Sequence, residues 1–262
     1  MNQELLTKNV TELCKEVGGF IRDERRTFSY KNVRHKKGPS DLVSYVDKGA
    51  EDRLVSRLKT LLPEAGFITE EETVQQQKKE YTWIIDPLDG TTNFVHGIPN
   101  YCVSVALMHE GNIVAGVVYE VTNDECFYAW KGGGAYLNGQ VIQVSNATKL
   151  HDTLLATGFP YYNFENIDTY LKILKELMQS TQGLRRMGSA AADMAYVACG
   201  RYGGFFEYNL NAYDIAAGVI LVQEAGGLVT DFKGGDNFLF GRELVAGGRA
   251  HGPILDVIKQ TW

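Results

Sequence analysis

The segment WIIDPLDGTTNF, residues 83–94, restricts the possible folds more than any other part of the chain. Its apolar run Trp83–Ile85 predicts a buried strand, yet that strand ends on Asp86, and a second carboxylate, Asp89, follows three positions later. A carboxylate at a buried strand end costs free energy unless a cation pairs with it or a metal binds it. The segment therefore predicts a charged site at the end of a buried strand.

The composition of this segment favours a metal next to a phosphate. The ten residues after Asp86 contain no Lys or Arg, so a local ion pair gives little relief. Oxygen ligands suit Mg²⁺, which binds a few carboxylates together with water and phosphate oxygens. Pro87 stiffens the turn that lets Asp86 and Asp89 converge. Gly90 permits a phosphate to approach the amides of residues 90–92 at a helix start. The residues alone therefore predict a metal-dependent phosphoryl site.

Two patterns of secondary structure divide the chain near residue 145. The N-terminal part shows two amphipathic helices, at about 6–20 and from Asp47 to about 61, and then short-turned strands that favour an antiparallel meander. These strands are predicted at 81–86, 101–108, 113–119, 125–130 and 141–144. Strands and helices alternate in the C-terminal part. We expect an α/β protein with an α+β part (1–145) and an α/β part (146–262), packed without a flexible linker.

Charge and cysteine content exclude several classes of protein. A formal charge of −6 and a pI near 5.5 argue against direct or non-specific nucleic-acid binding. The four cysteines show no CxxC spacing, which is typical of reduced thiols in a cytoplasmic protein. No basic-then-apolar start and no apolar run of about 18–20 residues is visible, so we expect no signal peptide and no membrane span.

Several polar motifs have more than one interpretation. Glu70-Glu71-Glu72 is either a solvated loop or, since it follows an apolar strand-like segment, a second group of acids at a strand end. Asp214 suits a helix N-cap, and a capping carboxylate can also bind a metal. Gly132–Gly134 lies in a predicted hairpin and indicates a tight turn more than a phosphate loop. Arg185-Arg186 fits a ligand contact, a partner contact or an ordinary surface pair. The five histidines are too dispersed to predict a zinc site.

Together with the segment at 83–99, six further segments resemble the inositol monophosphatase family of Mg²⁺-dependent, lithium-sensitive sugar phosphatases. They are DLVSYVD (41–47), FITEE (67–71), KGGGAYLNG (131–139), RRMGSAAADM (185–194), NAYDIAAG (211–218) and QEAGG (223–227). This resemblance implies a layered α/β/α/β/α fold and a homodimer.

The resemblance also implies a metal centre with two to three Mg²⁺ ions per active site. Glu70, Asp86 and the backbone carbonyl of Leu88 would bind the first ion. Asp86, Asp89 and Asp214 would bind the second, so that Asp86 bridges the two. A third, looser ion would lie near Glu70.

Catalytic and substrate residues follow from the same resemblance. A metal-activated water would be the nucleophile, positioned and deprotonated by Thr91 and Glu70, with Asp47 orienting Thr91. Apart from the resemblance, the segment Lys36-Lys37-Gly38 is expected to form a mobile loop that closes on the metals. The expected substrate contacts are Asp89, Gly90, Thr91, Ala190, Glu207 and Asp214.

The implied activity is hydrolysis of myo-inositol 1-phosphate to myo-inositol and phosphate. Thr69, Glu72, Tyr213 and the segment TGFPYY (157–162) depart from the commonest family pattern, which blurs the identity of the substrate. Another small phosphorylated polyol or sugar, histidinol phosphate, fructose 1,6-bisphosphate or NADP therefore stays an alternative substrate. A partner-binding role in a transcription complex is an alternative of a different class.

Overall fold

A computed structural model describes residues 2–29, 31, 33–35, 42–160 and 163–262. The predicted loop residue Lys36 lies outside the described residues, as do Asp41 and the pair 161–162. Seven α-helices occur in the described part of the chain, with a short 3₁₀ turn at Leu150–Asp152. The helices are α1 (Gln3–Thr27), α2 (Tyr45–Leu61), α3 (Thr91–His96), α4 (Ile167–Ser180), α5 (Ala190–Ala198), α6 (Ala212–Glu224) and α7 (His251–Thr261).

The strands form two mixed sheets and a small ribbon. The ribbon pairs β1 (Arg34–His35) with β2 (Leu42–Val43). The remaining strands are β3 (Gly66–Thr69), β4 (Tyr81–Asp89), β5 (Cys102–His109), β6 (Asn112–Glu120), β7 (Glu125–Trp130), β8 (Gly134–Leu137), β9 (Gln140–Ile142), β10 (Leu154–Thr157), β11 (Gly183–Arg185), β12 (Gly204–Tyr208), β13 (Leu228–Thr230) and β14 (Glu243–Gly247).

The larger sheet has seven strands in sequence order, β3 to β9. From β4 onward it is the expected antiparallel meander. The connection from β4 to β5 contains α3, and from β5 onward the strands are joined by turns of a few residues, which can join only antiparallel neighbours. Strand β3 pairs with β4 in parallel, through the crossover at residues 70–80. The acidic ends of β3 and β4 therefore lie side by side.

The smaller sheet has the order β11-β10-β12-β14-β13, with both parallel and antiparallel pairs. Helices α4 and α7 pack on its outer face, and α1 and α2 pack on the outer face of the larger sheet. Helices α5 and α6 fill the space between the sheets. The layer order is therefore α/β/α/β/α, which confirms the predicted fold class.

The middle layer is built from small residues. Its helices are rich in buried alanines, and a Cβ atom added at Gly218 of α6 would lie 2.5 Å from Met194 Cβ of α5. A Cβ added at Gly116 of β6 would lie 2.6 Å from Ile220 Cγ2. Small side chains thus let α5 and α6 approach each other and the larger sheet closely.

Several predicted boundaries are wrong in instructive ways. Helix α2 begins at Tyr45 and not at Asp47, because Ser44 is its N-cap. Helix α6 begins at Ala212, because Asn211, and not Asp214, is its N-cap. Strands β8 and β11 were not predicted, because they contain Gly134 and Gly183, and glycine indicates a turn. The predicted division near residue 145 stays a prediction.

Asn138-Gly139, a sequence that favours a two-residue hairpin turn, forms such a turn. Both residues adopt positive φ, 49° and 86°, between β8 and β9, as a two-residue hairpin turn requires.

In the described part of the chain, no helix combines the length and apolar character that crossing a bilayer requires.

Candidate active site

A cleft of about 430 Å³ opens where the acidic ends of β3 and β4 meet the helices of the middle layer. It is lined by every predicted metal and substrate residue, and the predicted catalytic residue Asp47 is buried beside it, bonded to the lining residue Thr91. The predicted residues in its lining are Glu70, Asp86, Leu88, Asp89, Gly90, Thr91, Ala190, Glu207 and Asp214. Residues far apart in sequence thus converge here, and their individual roles stay predictions.

An irregularity at the end of β4 explains how Asp86 and Asp89 both line the cleft. Residues three apart on a regular strand point to opposite faces. The pairing of β4 with β5 shifts register between Asp86 and Asp89, so the regular alternation is broken. The amide of Leu88 donates to Asp86 Oδ1 at 3.0 Å, which fixes the turn through Pro87.

The main chain at Glu70 joins the two acidic strand ends. Its amide donates to the carbonyl of Ile85 at 3.2 Å, directly before Asp86. Glu71 is buried and Glu72 is exposed. The solvated-loop interpretation of these glutamates therefore holds for Glu72 alone.

The carboxylates of the cleft raise one another's pKa. Burial raises the pKa of Asp86 well above its usual value, and the negative charges of Glu70, Asp89 and Asp214 raise it further. Burial also raises the pKa of Asp214 well above its usual value, with added contributions from Asp89 and Glu70. So many acids in one buried place are costly without a cation.

Asp89 is held by the N-terminus of α5. The hydroxyl of Ser189 and the amide of Ala191 each donate to Asp89 Oδ2 at 2.7 Å. Burial raises the pKa of Asp89 to about 6, and these two hydrogen bonds oppose the rise. Because both donors contact Oδ2, they orient the carboxylate and leave Oδ1 available to another ligand. Sequence reasoning missed Ser189, although a serine before a run of alanines is an N-cap signal.

Asp214 and Asp47 are both held by capping boxes. The amide of Asn211 donates to Asp214 Oδ2 at 2.6 Å, so Asp214 is the third residue of α6 and not its cap. The amide and hydroxyl of Ser44 donate to Asp47 Oδ2 at 2.8 and 2.6 Å at the start of α2. A capping box gives each carboxylate a fixed direction and leaves its second oxygen for another contact.

Thr91 contacts the second carboxylate oxygen of Asp47. Its hydroxyl lies 2.8 Å from Asp47 Oδ1 and 3.0 Å from the carbonyl of Leu88. Gly90 precedes it with φ 93°, and a Cβ there would lie 3.0 Å from the carbonyl oxygen of Asn100. The predicted contact between Asp47 and Thr91 is therefore present.

Two more buried carboxylates line the C-terminal side of the cleft. Burial raises the pKa of Glu207 and of Asp193 well above their usual values, and Asp214 adds to the rise at Glu207. Asp193 Oδ1 has no hydrogen-bond partner in the described structure. Gly158 lies flat against Glu207, since a Cβ there would fall 1.9 Å from Glu207 Oε2. Asp193 was missed because it lies in the first turn of α5, where an acidic residue is favoured by the helix dipole and needs no other explanation.

Two other motifs lie away from the cleft. The amides of Gly132 and Gly134 both donate to the carboxylate of Glu224 at 2.9 Å, so the glycine-rich segment is the predicted tight turn. Glu80, His109 and Glu110 form a partly exposed group whose possible ligand atoms lie within 4.8 Å of one another, at the opposite end of β4 from Asp86. Of the predicted arginine pair, Arg186 lines the cleft.

The cleft fits a hard divalent cation. Its potential ligands are carboxylate oxygens and the carbonyl of Leu88, which are the ligands that Mg²⁺ prefers. The rise in the pKa of Asp86 that the charges of Glu70, Asp89 and Asp214 add to the effect of burial reflects an electrostatic cost that a bound cation would remove. Metal identity and number stay predictions.

Comparisons with known proteins agree with this geometry. The model of the inositol monophosphatase family matches residues 2–261. An inositol-1-monophosphatase of Mesorhizobium japonicum is 46% identical over 212 residues, 80% of each chain. A protein of Pseudomonas aeruginosa named Nus factor SuhB is 44% identical over 218 residues, 81% of this chain and 80% of that one. The extragenic suppressor protein suhB of Bartonella henselae superposes with a TM-score of 0.90 at 39% identity, over 97% of this chain and 98% of that chain.

Proposed function

The chain belongs to the inositol monophosphatase family, and on this basis we propose that it is a Mg²⁺-dependent phosphomonoesterase acting on inositol monophosphate. The proposed reaction converts myo-inositol 1-phosphate and water into myo-inositol and phosphate. The observation that supports it most is the convergence of Glu70, Asp86, Asp89 and Asp214 in one cleft from three separate segments of the chain.

We assign the metal ligands as the resemblance implies. Glu70, Asp86 and the carbonyl of Leu88 would bind one ion, and Asp86, Asp89 and Asp214 a second, with a third near Glu70. When bound, Mg²⁺ neutralises phosphate charge and raises the acidity of water. Phosphoryl transfer depends mainly on positioning and charge neutralisation, which suits a site without a covalent nucleophile.

The protein's own groups orient the reactants. Asp47 is fixed by Ser44 and accepts a hydrogen bond at Oδ1 from Thr91. This hydrogen bond orients Thr91 Oγ1. Together with Glu70, Thr91 would orient the attacking water and accept its proton. The amides of residues 90–92 at the start of α3 would contact the phosphate.

The opposite wall of the cleft would bind the alcohol part of the substrate. Glu207 faces the cleft beside Gly158, where its carboxylate can accept hydrogen bonds from ring hydroxyls. Asp89, Ala190 and Asp214 line the same space. A polyol with several hydroxyl groups suits this row of acceptors.

Phosphate release tests the activity and the substrate together. The panel contains inositol 1-phosphate, histidinol phosphate, fructose 1,6-bisphosphate, NADP and 3′-phosphoadenosine 5′-phosphate, each with Mg²⁺ and with EDTA. We expect Mg²⁺-dependent turnover that is strongest on inositol 1-phosphate and inhibited by lithium. Strongest turnover on another compound would replace the substrate and keep the chemistry. No turnover by folded, Mg²⁺-binding protein would contradict the assignment.

A second role, in a transcription complex, is suggested by the name of one relative. That relative, 44% identical to this chain, is called Nus factor SuhB. An affinity capture with the Asp86→Asn variant tests this role apart from catalysis. Recovery of RNA polymerase subunits would support it, and their absence under conditions that capture a known polymerase-binding protein would argue against it.

Oligomeric state and location complete the proposal. We propose a cytoplasmic homodimer, as the family resemblance implies. Size-exclusion chromatography with light scattering should give twice the 29.1 kDa mass of one chain. A mass of one chain across a tenfold range of concentration would contradict the dimer.

A further inference from the structure

The acidic segment Glu70–Glu72 is anchored by a buried carboxylate from another element. Glu51 lies on α2 and is 0% exposed. It accepts four hydrogen bonds, all from residues 69–73. The donors are the hydroxyl of Thr69 at 2.9 Å, the amide of Glu71 at 2.8 Å, and the amide and hydroxyl of Thr73 at 2.7 and 2.8 Å.

These donors lie on both sides of Glu70. The hydroxyl of Thr69 precedes it and the amide of Glu71 follows it, while its own amide donates to Ile85. The backbone on each side of Glu70 is therefore fixed to Glu51, and Glu70 itself is fixed to β4. These contacts fix the direction in which the side chain of Glu70 leaves the main chain.

The backbone of this segment is shaped around the carboxylate. Glu72 has φ 53°, a left-handed conformation that few non-glycine residues adopt. With Glu72 in this conformation, the amides of Glu71 and Thr73 both donate to Glu51, as the amides of a backbone anion-binding turn do. The turn and the carboxylate thus stabilise each other, so loss of one releases the other.

We infer that Glu51 is a positioning residue for the metal centre, acting through the segment that presents Glu70. The inference rests on the proposed function, in which Glu70 binds Mg²⁺. Groups that orient a metal ligand typically change metal affinity or activity by about 10- to 100-fold when removed. Glu51 contributes no oxygen to the cleft lining, so its effect on the metal passes through residues 69–73.

The variant Glu51→Gln tests this inference. The amide keeps one oxygen, but its NH₂ group would face the amide N–H of Glu71 or the donors of Thr73, so at least one anchor is lost. We expect Mg²⁺ affinity, measured by calorimetry without substrate, to fall about 10- to 100-fold. The rise in melting temperature that Mg²⁺ produces should shrink in parallel. Asp52→Asn, on the exposed side of α2, is the matched acid-to-amide control and should bind Mg²⁺ like the wild type.

A milder pair of variants decides the question if Glu51→Gln does not fold. Thr73→Val removes one hydroxyl donor to Glu51, and Thr73→Ser keeps it. We expect weaker Mg²⁺ binding in the valine variant only. A lower melting temperature with unchanged Mg²⁺ affinity would make Glu51 a purely structural residue and overturn the inference alone. No Mg²⁺ binding by the wild type would overturn the proposed function, and this inference with it.

Discussion

Buried and partly buried carboxylates occur in two kinds of surroundings in this protein, and the difference separates structural acids from those of the cleft. Glu120 and Glu224 each accept hydrogen bonds from the backbone of a tight turn. Glu120 accepts from the amides of Thr122 and Asn123, and Glu224 from two amides of the turn at 131–134. In the cleft, Asp86 and Asp214 face other carboxylates.

The surroundings of a carboxylate therefore distinguish a binding site from a structural contact. A carboxylate surrounded by N–H donors is already stabilised, and no cation is needed beside it. Carboxylates that raise one another's pKa are stable together only when a cation or a proton joins them. The three segments of the chain that bring Glu70, Asp86, Asp89 and Asp214 to the cleft therefore form a binding site and do not serve folding.

The largest effect that would test this comparison is expected for Asp86→Asn. It removes one charge from the proposed bridging ligand, and we expect activity to fall on the order of 10³-fold, as for loss of one strong transition-state contact. The metal-free variant should melt at or above the wild-type temperature, because a buried repulsion is relieved. Phosphate release and thermal melting in EDTA measure the two effects. Unchanged turnover would contradict the assignment of Asp86 as a metal ligand.

A smaller effect is expected for Ser189→Ala, which removes a donor to Asp89 and the N-cap of α5. We expect Mg²⁺ affinity to fall about 10- to 100-fold and unfolding free energy to fall by about 1 kcal/mol. Asn2→Ala removes the N-cap of α1, far from the cleft, and controls for the capping loss. Equal Mg²⁺ affinity in the two variants would show that Ser189 serves only the helix.

For Glu224, whose carboxylate binds a tight turn, we expect a loss of stability without a loss of Mg²⁺ binding. In Glu224→Gln the amide can accept from only one of Gly132 and Gly134, so we expect unfolding free energy to fall by about 1 to 2 kcal/mol. Turnover and Mg²⁺ affinity should stay unchanged, because the turn lies outside the cleft lining. Denaturant unfolding and phosphate release measure both. A lower Mg²⁺ affinity in this variant would contradict the distinction between structural acids and those of the cleft.

The smallest effect concerns pH. Burial raises the pKa of Asp89 from its ordinary value of 3.8 to about 6, so the folded state binds its proton more tightly than the unfolded state. Its contribution to stability is therefore most favourable below pH 4 and is lost as pH rises through about 6. We expect melting temperature in EDTA to fall over this range more for the wild type than for Asp89→Asn. Identical pH profiles would contradict the raised pKa.

Much of the site could be predicted because its signals are local. Asp86 and Asp89 follow an apolar strand directly, so the strand end alone predicted them. Glu70 also follows a short apolar segment, but its choice from the run Glu70–Glu72 came from the family resemblance. Asp47 and Asp214 lie near helix starts, although their capping partners Ser44 and Asn211 shifted both boundaries.

The remaining residues could not be predicted because their contacts are remote in sequence. Glu51 binds a segment about 20 residues later, and Ser189 donates to Asp89 across 100 positions. Asp193 and Glu224 depend in the same way on how α5 and α6 lie between the sheets. Polar side chains on predicted helices give no sign of such partners, since the helical pattern places them only relative to their own helix.

The tight middle layer has a consequence for the evolution of this chain. The near contact of Gly218 with Met194 leaves no room for a larger side chain at that crossing. A library of all single substitutions should therefore be depleted most strongly along the facing sides of α5 and α6. The outward sides of α1 and α4 should accept most replacements. Because α5 and α6 also position the cleft, adaptation to a new phosphate ester is expected to begin at loop positions of the cleft lining such as Phe159 and Pro160, where substitutions do not disturb that layer.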